Sequence, residues 1–367
     1  MGKRTTALED MVSADGQLDP GFWRGRRVFL TGHTGFKGAW TALWLSRLGA
    51  HVHGYALSPE TDPALWSLLG DDLLAGETIA DITDRSALAA AIDAGRPEIV
   101  LHLAAQALVR RSYADPLATI ASNTMGTAYL LDVLRNVQGL AAVVIVTTDK
   151  VYANNDGGRD FVEDDPLGGH DPYSASKAAA ELLTRSFAAS YFDNAGVPVA
   201  TARAGNVIGG GDWSADRLIP DIWRAMQADR PLLLRYPDAT RPWQHVLEPI
   251  RGYLLHAQAL ARDPATPRAI NFGPVPGAAM TVAQVADTMT AAMQVTRAWQ
   301  CDDGDHPPEM KLLSLDPALA RHALGWRPRL DDAAGVAWTA RWYSDFAGGA
   351  DARALCEAQI DQYEALP

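Results

Sequence analysis

The stretch Thr31-Gly32-His33-Thr34-Gly35-Phe36-Lys37-Gly38 constrains this chain more than any other. It follows a short apolar run, Arg27–Thr31, and leads into helix formers over 38–48. Glycines at this spacing between a strand and a helix let the chain turn tightly, the backbone approach a pyrophosphate and the helix pack close to the sheet. The helix N-terminus then offers unpaired N–H groups and positive potential to an anion. A glycine triplet alone also describes an ordinary loop. Here it stands behind a first strand and ahead of repeated strand–helix units, which points to a dinucleotide site. Gly32, His33, Gly35, Phe36, Lys37 and Gly38 are therefore candidate cofactor residues.

Behind that turn, short β-branched or apolar runs alternate with helical spacing, the pattern of parallel βαβ units. Strands are expected at 51–57, 78–81, 98–103, 141–147 and 197–203, with helices at 84–94, 118–137 and 173–192. The predicted fold is α/β: a Rossmann-type doubly wound parallel sheet with a smaller C-terminal substrate-binding lobe. Residues 1–20 read as a tail, 21–205 as the dinucleotide-binding domain and 206–367 mainly as the lobe, with 241–265 packing back on the first domain. The texture changes at the turn-rich segment 205–213 (GNVIGGGDW), after which helices mix with short extended pieces such as 232–235.

With 48% hydrophobic and 21% charged residues in 367, a substantial core is expected. A net charge of −12 argues against a nucleic-acid partner, which needs a basic face. It leaves room for a phosphorylated small molecule held by a few arginines. Cys301 and Cys356 stand far apart and outside any CxxC spacing, so neither a disulfide framework nor a metal site is expected. No run approaches the roughly 18 apolar residues of a membrane span. The first 20 residues carry acids and lack the apolar centre of a signal peptide, so the cytoplasm is the expected compartment.

The cofactor's ribose partner is not legible. The second strand ends at Tyr55-Ala56-Leu57-Ser58, with neither the acid that holds the ribose of NAD nor an arginine for a 2′-phosphate; Glu60 and Asp62 lie just beyond. Asp81 and Ile82, after the third strand, are placed either to meet an adenine edge or to lead into a helix N-cap. Leu103, at the end of the fourth strand, and Ala104 and Ala105 just beyond it are further candidate cofactor residues.

Two further groups carry chemistry. Tyr173-Ser174-Ala175-Ser176-Lys177 puts a phenol and an ammonium at i and i+4 on one helical face. A phenol near pKa 10 is a poor base, and a neighbouring cation favours its phenolate. At the end of the fifth strand stand Thr147-Thr148-Asp149-Lys150. Thr148 suits orientation of a substrate hydroxyl. Asp149 and Lys150 add a proton donor and a proton acceptor, which hydride transfer alone does not require and loss of water does. A structural ion pair at a strand end is the alternative.

These residues carry a resemblance. The chain resembles the CDP-glucose 4,6-dehydratases of the extended short-chain dehydrogenase/reductase superfamily from about Phe22 to the C-terminal helices. The matching blocks are FWRGRRVFLTGHTGFKGAW (22–40), HLAAQALVRRSY (102–113), TDKVY (148–152), PLGGHDPYSASKAAAEL (166–182), ARAGNVIGGGDW (202–213) and RPWQHVLEP (241–249). The resemblance implies tightly held NAD, a nucleotide-sugar substrate, CDP-glucose foremost, and a homodimer or dimer of dimers built on a two-helix face, with 118–137 and 173–192 as the candidate helices. It implies that Tyr173 takes the sugar 4-hydroxyl proton with the aid of Thr148, that Lys150 acts near the C5 proton and that Asp149 protonates the departing 6-hydroxyl. Lys177 would position the nicotinamide ribose. It further implies substrate contacts from Arg111, Ser112, Tyr113, Asn206, Arg217, Arg235, Arg241 and His245.

Three stretches depart from the family. ANNDGGRDFVE (153–163) replaces a tryptophan-rich run, 306–316 lacks a tyrosine near Leu312, and Tyr-Pro-Asp-Ala-Thr (236–240) replaces Asn-Pro-His-Ala-Ile. The first opens the expected wall of the sugar pocket, and together they leave the reaction type firmer than the substrate. The competing readings are an NAD-dependent epimerase or reductase of the same fold, and a non-catalytic NAD-binding regulatory protein.

Overall fold

The structure, a computed structural model, describes residues 16–154, 158–274, 279–294, 299–302, 304 and 313–367. Six strands, β1 (Arg27–Thr31), β2 (His51–Ala56), β3 (Gly76–Ile79), β4 (Ile99–His102), β5 (Ala142–Val146) and β6 (Val199–Ala204), join a seventh, Ala269–Phe272, in one sheet. Every pairing in it is parallel. Across the sheet the order is Ala269–Phe272, β6, β5, β4, β1, β2, β3. The chain therefore winds outward from β1 to β3, returns to β4 and winds outward the other way. The crevice at the carboxyl ends of β1 and β4 is the switch point where such folds bind ligands.

The sheet is parallel because both faces are covered: every residue of β4 and β5 is buried. With period two, Phe29, Val100, Val143 and Ile145 face Leu88 and Ile92 of the helix Arg85–Gly95 and Leu130, Leu131 and Leu134 of the helix Gly126–Leu134. Val28, Leu30, Leu101 and Val144 belong to the opposite layer, with Trp40 and Trp44 of the helix Phe36–Arg47 and Ile250 and Leu254 of the helix Leu247–Arg262. That layer is continuous with the C-terminal part, where Trp213, Trp223, Trp342, Tyr343 and Phe346 pack ring against ring.

Several expectations needed correction. The helix expected over 118–137 is three pieces: Pro116–Ile120, a π turn Ala121–Met125 and Gly126–Leu134. Asn123 explains the bulge, because its side chain bonds the backbone of Gln106 and Ser176 Oγ instead of facing solvent. The helix expected over 173–192 starts at Pro172 and turns into a π turn, Ala188–Phe192. The strand Ala269–Phe272 was not anticipated. Of the expected tail, residues 1–15 lie outside the described residues, while Asp19 caps the short helix Pro20–Trp23. Among the described residues no helix is long and apolar enough to cross a membrane, and no group of three or more His, Cys, Asp or Glu is placed to hold a metal ion.

Candidate active site

β1 delivers the chain to the switch point, and the glycine turn fills it. Gly32 has φ +77°, and a Cβ there would lie 2.7 Å from Ala104 N, where the end of β4 crosses the turn. A Cβ on Gly38 would lie 2.0 Å from Gly32 O, so the helix Phe36–Arg47 can start only from glycine. Gly35 differs: the one atom near its Cβ position is Gly32 O at 3.4 Å, and the residue is exposed. What its lack of a side chain keeps clear is the groove itself. The helix that follows has no side-chain cap, so its first-turn N–H groups remain for an anion. A dinucleotide pyrophosphate fits this cradle.

The rest of the cofactor rim is mixed. Thr31 Oγ1 accepts from the N–H groups of Leu103 and Ala104, both at 3.1 Å, which ties β4's end, with Ala105 just beyond, to the turn. Asp81 is exposed after β3, its carboxylate accepting from Thr83 and its carbonyl from Tyr55 Oη; Ile82 beside it is buried. The N-cap of the next helix is Asp84, not Asp81. The His33 ring is fully buried under β2, bonded to Glu77 at 2.7 Å, so only its backbone can meet a ligand. Glu60 is engaged in an ion pair with Arg111.

β5 ends at Val146, and Thr147 and Thr148 lead into a single 3₁₀ turn, Asp149–Val151. Thr148 Oγ1 donates to Asp149 Oδ1 at 2.8 Å and stands within hydrogen-bond reach of the Tyr173 hydroxyl. Tyr173 opens the helix Pro172–Phe187, whose start is fixed by Pro172 and by Asp171 accepting from Ser174 N. Lys177, one turn on, donates from Nζ to Val146 O at 3.0 Å. Burial pushes the Tyr173 phenol up to about 12, with the Asp149 charge adding to it. Burial pulls Lys177 down to about 8 against the charge of Glu181. The phenol is thus neutral until a further cation arrives beside it. Lys37 was expected only as a cofactor residue of the glycine turn. It also lines the reaction cavity, lowered to about 7 by burial and by the charges of Arg217 and Lys177, against Asp149 and Asp212.

Thr147, Thr148, Asp149, Lys150 and Tyr173 open into one cavity of about 630 Å³, a size suited to a small organic ligand. Of the expected substrate residues, Tyr113, Asn206, Arg217, Arg235 and Arg241 line it. Arg217 is held there by Asp212 at 3.0 Å. Three do not reach it. Arg111 points away to Glu60 at 2.9 Å, and Arg110 lines the cavity in its place. On the short helix Val109–Ala114, residues 110 and 113 share a face and 111 is turned about 100° from 110. Ser112 is buried and accepts from Tyr173 N at 3.2 Å, so it orients the tyrosine's helix. His245 is buried between the rings of Trp40 and Trp338, which lowers it to about 3.

Where the sequence departs from its expected family, Phe161 stacks on Tyr152 at 4.8 Å, Tyr236 lines the cavity and Leu313 closes part of it. Residues 155–157 and Leu312 lie outside the described residues.

A glycine turn at the switch point, a Tyr–Lys pair, and a Thr-Asp-Lys strand tip that shares one cavity with Tyr173 and Lys37 define a nucleotide-binding enzyme of the short-chain dehydrogenase type. A family model described as the NAD dependent epimerase/dehydratase family matches residues 28–273, and the chain belongs to that family. It is similar to the CDP-glucose 4,6-dehydratase of Salmonella typhimurium, with 43% identity over 352 residues, covering 94% of this chain and 98% of the relative. Among solved structures, an epimerase from Methanothermobacter thermautotrophicus matches with a TM-score of 0.78 at 24% identity, covering 89% of this chain and 94% of that one. A UDP-glucose 4-epimerase from Brucella ovis in complex with NAD matches at 0.73 and 21%, covering 87% and 98%. At these identities the two structures speak for the fold alone.

Proposed function

We propose that this chain is an NAD-dependent nucleotide-sugar 4,6-dehydratase that converts CDP-glucose to CDP-4-keto-6-deoxyglucose. The observation that carries the reading is that Asp149 and Lys150 line the same cavity as Tyr173. An acid and an amine beside the redox tyrosine supply what an elimination needs and an epimerisation does not. Likeness to the Salmonella dehydratase across nearly the whole of both chains supports the choice of substrate.

A bound NAD would supply hydride acceptance at C4 of the sugar and hydride donation at C6. Its phosphates would rest on the turn of Gly32, Gly35 and Gly38, and its nicotinamide ribose on Lys177. Tyr173, as phenolate, accepts the 4-hydroxyl proton, and Thr148 orients that hydroxyl. The 4-keto group acidifies C5, and Lys150 in its neutral form accepts the C5 proton. The C6–O bond breaks as Asp149 gives its proton to the departing hydroxyl, which leaves as water. Lys150 then returns the proton to C5. The proton held by Tyr173 passes to solvent, and Asp149 recovers one, so the net change is loss of water. Arg110, Arg217 and Arg241 suit the diphosphate.

A homodimer fits the same reading. Leu117, Ile120, Met125, Leu182 and Tyr191 are exposed on the adjoining helical segments that start at Pro116 and Pro172. The unpaired Cys301 and Cys356 suit a reducing, cytoplasmic setting. The test is to incubate the purified protein with CDP-glucose and follow the base-labile 4-keto product. Inversion at C4 or C2 without loss of water would sink the dehydratase reading.

A further inference from the structure

Beneath the strand tip lies a buried ion pair that none of these steps uses. The side chains of Arg203, on β6, and Glu181, in the helix Pro172–Phe187, are both fully buried. Two parallel bonds join them, Nε to Oε1 and Nη2 to Oε2, each 2.8 Å. Such a pair is a poor source of stability, since well-packed apolar residues would serve as well or better. Its remaining bonds show a more specific arrangement. Glu181 Oε1 accepts from Thr147 Oγ1 at 2.6 Å, and Oε2 from Thr201 Oγ1 at 2.8 Å. Arg203 Nη1 donates to Tyr152 Oη at 2.6 Å, and that hydroxyl donates to Asn271 Oδ1 at 2.7 Å. Thr147 and Tyr152 bracket the residues that carry the chemistry, Thr148, Asp149 and Lys150. One ion pair therefore grips both ends of the catalytic turn. Glu181 also stands one helical turn beyond Lys177.

We propose that Glu181 and Arg203 are positioning residues: together they hold the turn 147–152 from below, and Glu181 sets a fixed negative charge beside Lys177. The charge has a definite task, because burial favours the neutral amine and Glu181 opposes it. The other groups around Lys177 do not replace it. Lys37, from the helix after the glycine turn, repels it, and His102, on β4, is held neutral near 3. Tyr173, on the same helix, is the group the ammonium serves.

The inference rests on the dehydratase reading for what the turn does, but one of its readouts needs no turnover. The chain has five lysines, Lys3, Lys37, Lys150, Lys177 and Lys311, so selective ¹³C labelling of lysine followed by an NMR pH titration isolates Lys177, assigned with Lys177→Arg. Glu181→Gln keeps the shape but strands a buried guanidinium, so Glu181→Gln/Arg203→Met is made beside it. Tyr152→Phe releases the far grip on the turn, along with the bond to Asn271, and leaves the Glu181–Arg203 pair in place. Losing the anion destabilises the ammonium, so Lys177 should titrate lower by at least about half a pH unit in the Glu181 variants. The alkaline limb of kcat should move down with it. Tyr152→Phe should leave that titration in place and lower kcat about tenfold, with KM for CDP-glucose within about threefold. An unmoved Lys177 titration in both Glu181 variants, or kcat of Tyr152→Phe within about twofold of wild type, overturns the proposal. If the wild type fails to dehydrate CDP-glucose, the functional reading falls instead, and the Lys177 titration still decides the electrostatic part.

Discussion

On the proposed mechanism, replacing Asp149 by Asn changes little in the site except the proton that the departing hydroxyl would take. Asp149 is 3% exposed, and its Oδ1 accepts from Thr148 at 2.8 Å. The amide oxygen of Asn keeps that bond, so Thr148 and its neighbour Tyr173 stay in place. An amide cannot act as a general acid, a role that contributes about 10²–10⁴-fold. At about 1.36 kcal/mol per decade the barrier to elimination rises by roughly 3–5 kcal/mol. Oxidation at C4, which uses Tyr173 and Thr148, should be spared. A single turnover of NAD-loaded enzyme with CDP-glucose, followed by nicotinamide absorbance and by quenched product, separates the two steps. The absorbance should rise as in the wild type and persist, while 4-keto-6-deoxy product forms about 10²–10⁴ times more slowly. Product within about threefold of the wild-type rate, or oxidation slowed as much as elimination, would refute the assignment.

Three further outcomes are expected. A Cβ on Gly205 would stand 3.0 Å from Asp149 Oδ2 and 3.6 Å from its Cγ, with Pro242 Cγ at 3.8 Å. Gly205→Ala should therefore displace the carboxylate by a few tenths of an ångström and lower kcat roughly fivefold, with Tm within about 2 °C of wild type. Arg110→Ala should raise KM for CDP-glucose about tenfold, whereas Arg111→Ala, which breaks an exposed pair with Glu60, should leave it within about twofold in steady-state kinetics. Burial raises the Asp332 carboxyl from 3.8 to about 6, although it accepts from Trp243 N. The folded state then holds an extra proton between those values, so stability falls as pH rises through that window and stays lower above it. Asp332→Asn should recover up to about 3 kcal/mol above pH 6 and nothing near pH 3, read as Tm against pH; an unchanged difference across that range would contradict the shift.

The parts legible in the sequence were those whose chemistry is local. A turn needing glycine at 32 and 38 is written in eight consecutive residues, and Tyr173 and Lys177 share a helical face whatever surrounds them. The strand Ala269–Phe272 left no such mark: four residues, the last three of them buried, carry no alternation to read. The break at Asn123 was equally silent, because its cause is a bond to Ser176 fifty-three positions away.

Local composition and periodicity thus determined the class of fold, the glycine turn and the candidate reactive side chains, since each depends on neighbours within a turn of helix or a strand pair. The tertiary structure alone decided which of Arg110 and Arg111 lines the cavity, that His245 is walled in by Trp40 and Trp338, and that Glu181 meets Arg203 beneath the turn 147–152. Each of these turns on contacts across long stretches of chain. Such contacts exist only once the helices have closed over the sheet and fixed the side chains between them.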